Sequence, residues 1–66
     1  MTVTREKEIW ALALWVDREH GDDAEEFIAG KVLHFVERDD EGGRKLWEDV
    51  ARRYVQLREA HTAALN

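Results

Sequence analysis

The sequence predicts an all-α fold: three helices, over about residues 5–20, 23–38 and 41–61, in a small bundle or an open helical arrangement. Three observations predict it. Apolar residues recur at steps of three and four through three segments. Proline is absent, and β-branched residues do not alternate with polar ones as a strand requires. Glycines punctuate the segments, with Gly21 after the first and Gly42 and Gly43 before the third.

The first helix is expected from Arg5 to His20. Thr4 is its N-cap, and Glu6 and Glu8 suit the positive end of the helix dipole. Ile9, Leu12, Ala13 and Val16 make one apolar face, with Trp10 beside it. Ala11, Leu14 and Trp15 fall on roughly the opposite side. A helix apolar nearly all round is either central to its domain or covered by another chain. Gly21 fits a left-handed C-cap.

The second helix is expected from Asp23 to Arg38. Asp22 serves as N-cap, and Glu25 reaches back to it as in a capping box. Ala24, Ile28, Val32 and Phe35 form its core stripe, with Val36, Phe27 and Leu33 on the flanks. Gly30 within it costs about 1 kcal/mol against alanine. It marks either a close approach by another helix or a tolerated weak point.

The third helix is expected to start near Asp40 or Gly43 and to run to about His61. Trp47, Val50, Tyr54, Leu57 and His61 form its stripe, thickened by Leu46, and predict antiparallel packing on a neighbour. The tail 62–66 is expected to fray.

At 66 residues the chain is read as one domain, 1–66. Domains of this size are marginally stable and usually need a staple. Cysteine is absent, which excludes disulfides and thiolate metal sites. The formal charge is −5, so phosphate is a poor default partner. The acidic residues concentrate between Gly21 and Gly42 and the basic ones after it, which predicts an acidic second helix pairing with a basic third. The longest apolar run, Ile9 to Val16, falls far short of the ~20 residues that cross a bilayer. It also lacks the flanks of a signal peptide, so no membrane association and a cytoplasmic location are expected.

The residues offer little chemistry. Serine and cysteine are absent, and Thr2, Thr4 and Thr62 lie near the ends, away from any dry pocket. Of the three histidines only His20 has a carboxylate, Asp17, at the offset used in helical metal sites. The plainer role of His20 is a helix C-terminal residue meeting the dipole. Asp39, Asp40 and Glu41 lack the alternate spacing of a calcium loop, and no phosphate-binding glycine loop occurs. No enzyme activity, cofactor or metal is expected. Arg44, Lys45, Arg52, Arg53 and Arg58 give the third helix a basic side, so a small DNA-associated regulator is the alternative function.

The leading expectation is a non-enzymatic interaction or adaptor module that forms a homodimer through its first helix. If Ile9, Leu12, Ala13 and Val16 point inward, Trp15 points outward, and Ala11, Leu14 and Arg18 share its surface. Tryptophan is enriched at interface hot spots. These four residues are the candidate interface. An unidentified protein partner is the other occupant considered, and the competing role for Trp15 is a half-buried ring packed within its own chain.

The run Glu8-x-Trp10-Ala11-x-Ala13-Leu14-x-Val16-Asp17, with His20-Gly21 and Ala24-x-x-Phe27-Ile28-Ala29, resembles a family of short alphaproteobacterial helical proteins, a domain of unknown function. Asp40-x-x-Gly43-x-x-x-Trp47-x-x-Val50-Ala51 extends the resemblance, which covers about Glu6 to Leu57. Gly42 stands where the family pattern leads one to expect alanine. The resemblance implies a compact helical protein and carries over no catalytic residue, cofactor or substrate.

Overall fold

The computed structural model describes residues 4–64, with side-chain surroundings for 4–60. Within these bounds the chain is all-helical and contains no strand. The expectation of three separate helices is corrected. The backbone forms two continuous helical stretches, 5–37 and 41–64, and the first of them is bent. Its two limbs are α1 (Arg5–His20) and α2 (Ala24–Glu37), joined without a break by a 3-10 turn, Gly21–Asp23. The second stretch is α3 (Glu41–Ala64), which continues past the expected end at 61. Residues 65 and 66 lie outside the described residues.

Local chemistry explains where the helices start and bend. Thr4 is extended, and its Oγ1 accepts from the Lys7 N–H at 3.2 Å, capping α1. Gly21 has φ +48°, a conformation open to glycine, and its N–H donates to the Asp17 carbonyl. The expected Asp22 cap and its capping box do not form. Asp22 lies inside the 3-10 turn, and Asp23 precedes α2 without a side-chain cap bond. Across the bend the Gly21 N–H donates to the Asp17 carbonyl and the Ala24 N–H to the Gly21 carbonyl, so backbone groups take up part of a cap's role.

The second joint is shorter than the glycines suggest. Asp40 N–H donates to the Phe35 carbonyl (2.9 Å) and Asp39 N–H to Val36 (3.1 Å), the bond pair of a Schellman motif. Asp39, at φ +55°, takes the left-handed position. Asp40 then caps α3, its Oδ1 accepting from the Gly43 N–H at 3.0 Å. Gly42 and Gly43 thus belong to the first turn of α3. Aspartate tolerates the left-handed region less well than glycine, so Asp39→Gly should raise stability by about 0.5–1 kcal/mol. A urea midpoint unmoved or lowered by this change would contradict the role given to Asp39.

The core is built from the predicted stripes. Ile9, Ala13 and Val16 of α1, Ala24 and Ile28 of α2, and Trp47, Val50 and Tyr54 of α3 are buried together. Leu12, Phe27, Val32, Phe35, Leu46 and Ala51 pack around them, half-buried. The side chain of His61, expected on the α3 stripe, lies outside the described ones. α2 and α3 form a hairpin, and α1 lies against both. The result is a slab of 42 × 32 × 17 Å.

The acidic second helix and the basic third are neighbours as expected, but their charges do not join them. Arg53 Nη2 reaches Glu6 at 3.4 Å and Arg58 Nη1 reaches Asp17 at 3.9 Å, so both ties run from α3 to α1. Arg44 is held by Glu48 at 2.9 Å and Arg52 by Asp49, within α3 itself. Among the described residues no ion pair joins α2 to α3. Apolar side chains fill that seam, and the α2 carboxylates face outward. No described helix is long and apolar enough to cross a membrane.

Candidate functional site: the outer face of α1

The α1 residues that point inward fix what its other side presents. With Ile9, Ala13 and Val16 buried, Ala11, Leu14, Trp15 and Arg18 are all exposed. Leu14 is 51% and Trp15 40% accessible. Among the described residues the ion pair of Arg18 is with its neighbour Glu19, at 4.0 Å, and Arg18 is itself 77% exposed, a geometry worth little energetically. The four candidate interface residues therefore share the solvent-facing side of one helix. Trp10, at the opposite edge, is half-buried, with the Arg53 guanidinium 4.9 Å above its ring.

Trp15 is not free of its own chain. Its ring meets His20 edge-on at 5.7 Å and Phe27 at 5.8 Å, and His20 stacks on Phe27 at 3.8 Å. Phe27 continues edge-on to Trp47 at 5.9 Å, with Lys31 Nζ 5.4 Å from the Phe27 centroid. An aromatic row thus runs from the surface to the core across the bend between α1 and α2. It has one anchored end in Trp47 and one exposed end in Trp15. The row was missed from sequence because it depends on the angle of the bend. Its sequence signal is three aromatic rings, Trp15, His20 and Phe27, bracketing one helix end.

His20 is drawn into this row and not toward a metal. Its Nδ1 lies 3.6 Å from Asp23, while Asp17, the carboxylate at metal-site spacing, turns to Arg58. Among the described residues no three His, Asp or Glu side chains gather in one place. The Asp39–Glu41 cluster forms the Schellman turn and the α3 cap described above. Among the described side chains Thr4 is the sole aliphatic hydroxyl, and its oxygen is engaged as the cap. Thr2 and Thr62 lie outside them.

Two of the open hollows among the described residues reach core side chains. One, of about 300 Å³, is lined by Ile9, Asp49, Arg52, Arg53 and Gln56. Its charged groups are already engaged, Arg52 by Asp49 and Arg53 by Gln56 and Glu6. The other, of about 240 Å³, lies between α2 and α3 and is lined mainly by apolar residues, among them Ile28, Val32, Tyr54 and Val55. Leu33, Val36 and Val55 are also exposed, on α2 and α3.

A thin all-helical slab with apolar side chains left on its outer faces is the class of protein this geometry defines. The model of a family of unknown function, DUF6961, matches residues 5–62, and the chain belongs to that family. No curated protein and no solved structure matches it.

Proposed function

We propose that this chain is a non-enzymatic interaction module of the cytoplasm that works by associating with a second copy of itself. The observation that carries this reading is the exposure of Leu14 and Trp15 on the side of α1 turned away from the core. Their neighbours Ala11 and Arg18 are exposed with them. An exposed tryptophan with an arginine on the same face suits an interface, where both are enriched, and Leu14 enlarges the apolar patch. The aromatic row behind Trp15 holds the ring in one orientation, which lowers the entropy lost on docking.

Nucleic acid is the weaker reading. Arg44, Arg52, Arg53 and Arg58 on α3 are each placed against a carboxylate of the same chain, and these pairs would have to be exchanged for phosphate contacts.

The test is sedimentation of the native chain and of Leu14→Gln and Trp15→Gln. Each substitution should weaken association while circular dichroism retains the helical signal. A native chain that stays monomeric up to sub-millimolar concentration would remove the self-association reading.

A further inference from the structure

Two exposed stripes, one on each limb of the bent helix, have matching form and opposite charge. On α1 the stripe is Lys7, Ala11, Leu14 and Arg18. On α2 it is Glu26, Gly30, Leu33 and Glu37. Both follow steps of four, three and four residues, and all eight residues are exposed. In each, a charged residue stands at either end, about 16 Å apart along the axis, around one small residue and one leucine. The ends are cationic on α1 and anionic on α2. Leu14 and Leu33, at 51% and 56%, are among the most exposed large apolar side chains described. Lys7, Glu26 and Glu37 have no ion-pair partner among the described residues, and Arg18 has only its weak contact with Glu19.

We propose that the outer stripe of α1 docks antiparallel on the outer stripe of α2 of a second copy of this chain. The proposal rests on the self-association reading above and names the surface the α1 face meets. Antiparallel, Lys7 faces Glu37 and Arg18 faces Glu26, while each leucine lies over a small residue, Leu14 over Gly30 and Leu33 over Ala11. Because the 4-3-4 spacing reads the same in both directions, all four pairs align at once. Gly30 gains an explanation that the isolated chain lacks. A side chain there would meet nothing within 4 Å in its own subunit, so no internal contact requires glycine. A facing leucine does.

Charge also disfavours the simpler symmetric contact of α1 with α1. Antiparallel, it would set Lys7 against Arg18 at both ends, and parallel it would set each cation against its own copy. The α1–α2 contact joins different surfaces on the two copies. It therefore either occurs twice in a two-fold pair or continues head to tail.

Charge reversal tests this. K7E/R18E should weaken self-association about tenfold or more in low salt, and so should E26K/E37K. The second is the sharper test. It makes an acidic chain less acidic, so a general charge effect would strengthen association where the stripe contact predicts weakening. Mixing the two variants, or combining all four changes in one chain, should return association to near the native strength. Should E26K/E37K lose helical signal, E37K alone serves, since a cation suits the C-terminal end of α2. Association of E26K/E37K at native strength or above, or a mixture no stronger than its parts, would overturn the stripe contact while leaving self-association standing. A monomeric native chain removes both.

Discussion

Trp47→Ala is expected to leave this chain largely unfolded. Truncating a buried tryptophan costs about 3–5 kcal/mol, and a chain of this length has of the order of 3–10 kcal/mol in total. Trp47 is 8% exposed and stands with Val50 and Tyr54 on the buried face of α3. Its ring receives the edge of Phe27 and, at 5.9 Å, the ammonium of Lys31. Removing it empties the seam between α2 and α3, and it detaches the aromatic row that ends in Trp15. Urea titration followed by far-ultraviolet circular dichroism measures the loss. Trp47→Phe keeps an aromatic edge for Phe27 and should fall between the two. A Trp47→Ala chain whose urea midpoint matches the native one would show that the seam does not depend on this ring.

The adjacent glycines of α3 should respond in opposite directions. A Cβ on Gly43 would stand 2.3–2.6 Å from three atoms of the Phe35 ring, far inside contact distance. Phe35 itself packs against the core and is followed by the Schellman turn, so its ring has little freedom to withdraw. Gly43→Ala should therefore cost about 1–3 kcal/mol. At Gly42 the nearest atom to an added Cβ is Asp40 Oδ1, at an ordinary 3.6 Å. There alanine removes the backbone entropy of glycine from a helical turn, and Gly42→Ala should gain up to about 1 kcal/mol. Thermal melts of the two variants make the comparison. Equal shifts of the same sign would mean that Phe35 does not press on Gly43.

These contrasts mark how much was legible beforehand. The N-cap at Thr4 and the apolar stripes were readable because each depends on spacing within one helix. Gly21 was readable because a positive φ at a helix end favours glycine. At the second joint the expected start of the third helix at 41 agrees with α3, but the left-handed residue is Asp39 and neither of the two glycines that mark the joint in sequence. The expected capping box assumed a fresh helix start, which a continuous bend removes. Gly43 could be read as punctuation but not as the seat of Phe35, a contact that exists only once two helices meet. The same holds for charge. Composition separates an acidic α2 from a basic α3, but only packing reveals that the arginines of α3 turn to α1 and to their own helix. At the candidate site, the outward placement of Ala11, Leu14, Trp15 and Arg18 followed from periodicity alone. The neighbours that orient Trp15, namely His20 and Phe27, required the bend.

The 3-10 turn between α1 and α2 makes the two limbs rotationally geared. A flexible loop absorbs an added or lost residue, but a three-residue 3-10 turn has no slack to do so, and each residue of a helix carries about 100° of rotation. One residue gained or lost at Gly21–Asp23 would swing Ile28 out of the core and carry Phe27 away from Trp47. The spacing across this elbow is therefore as much a part of the fold as the identity of any buried side chain.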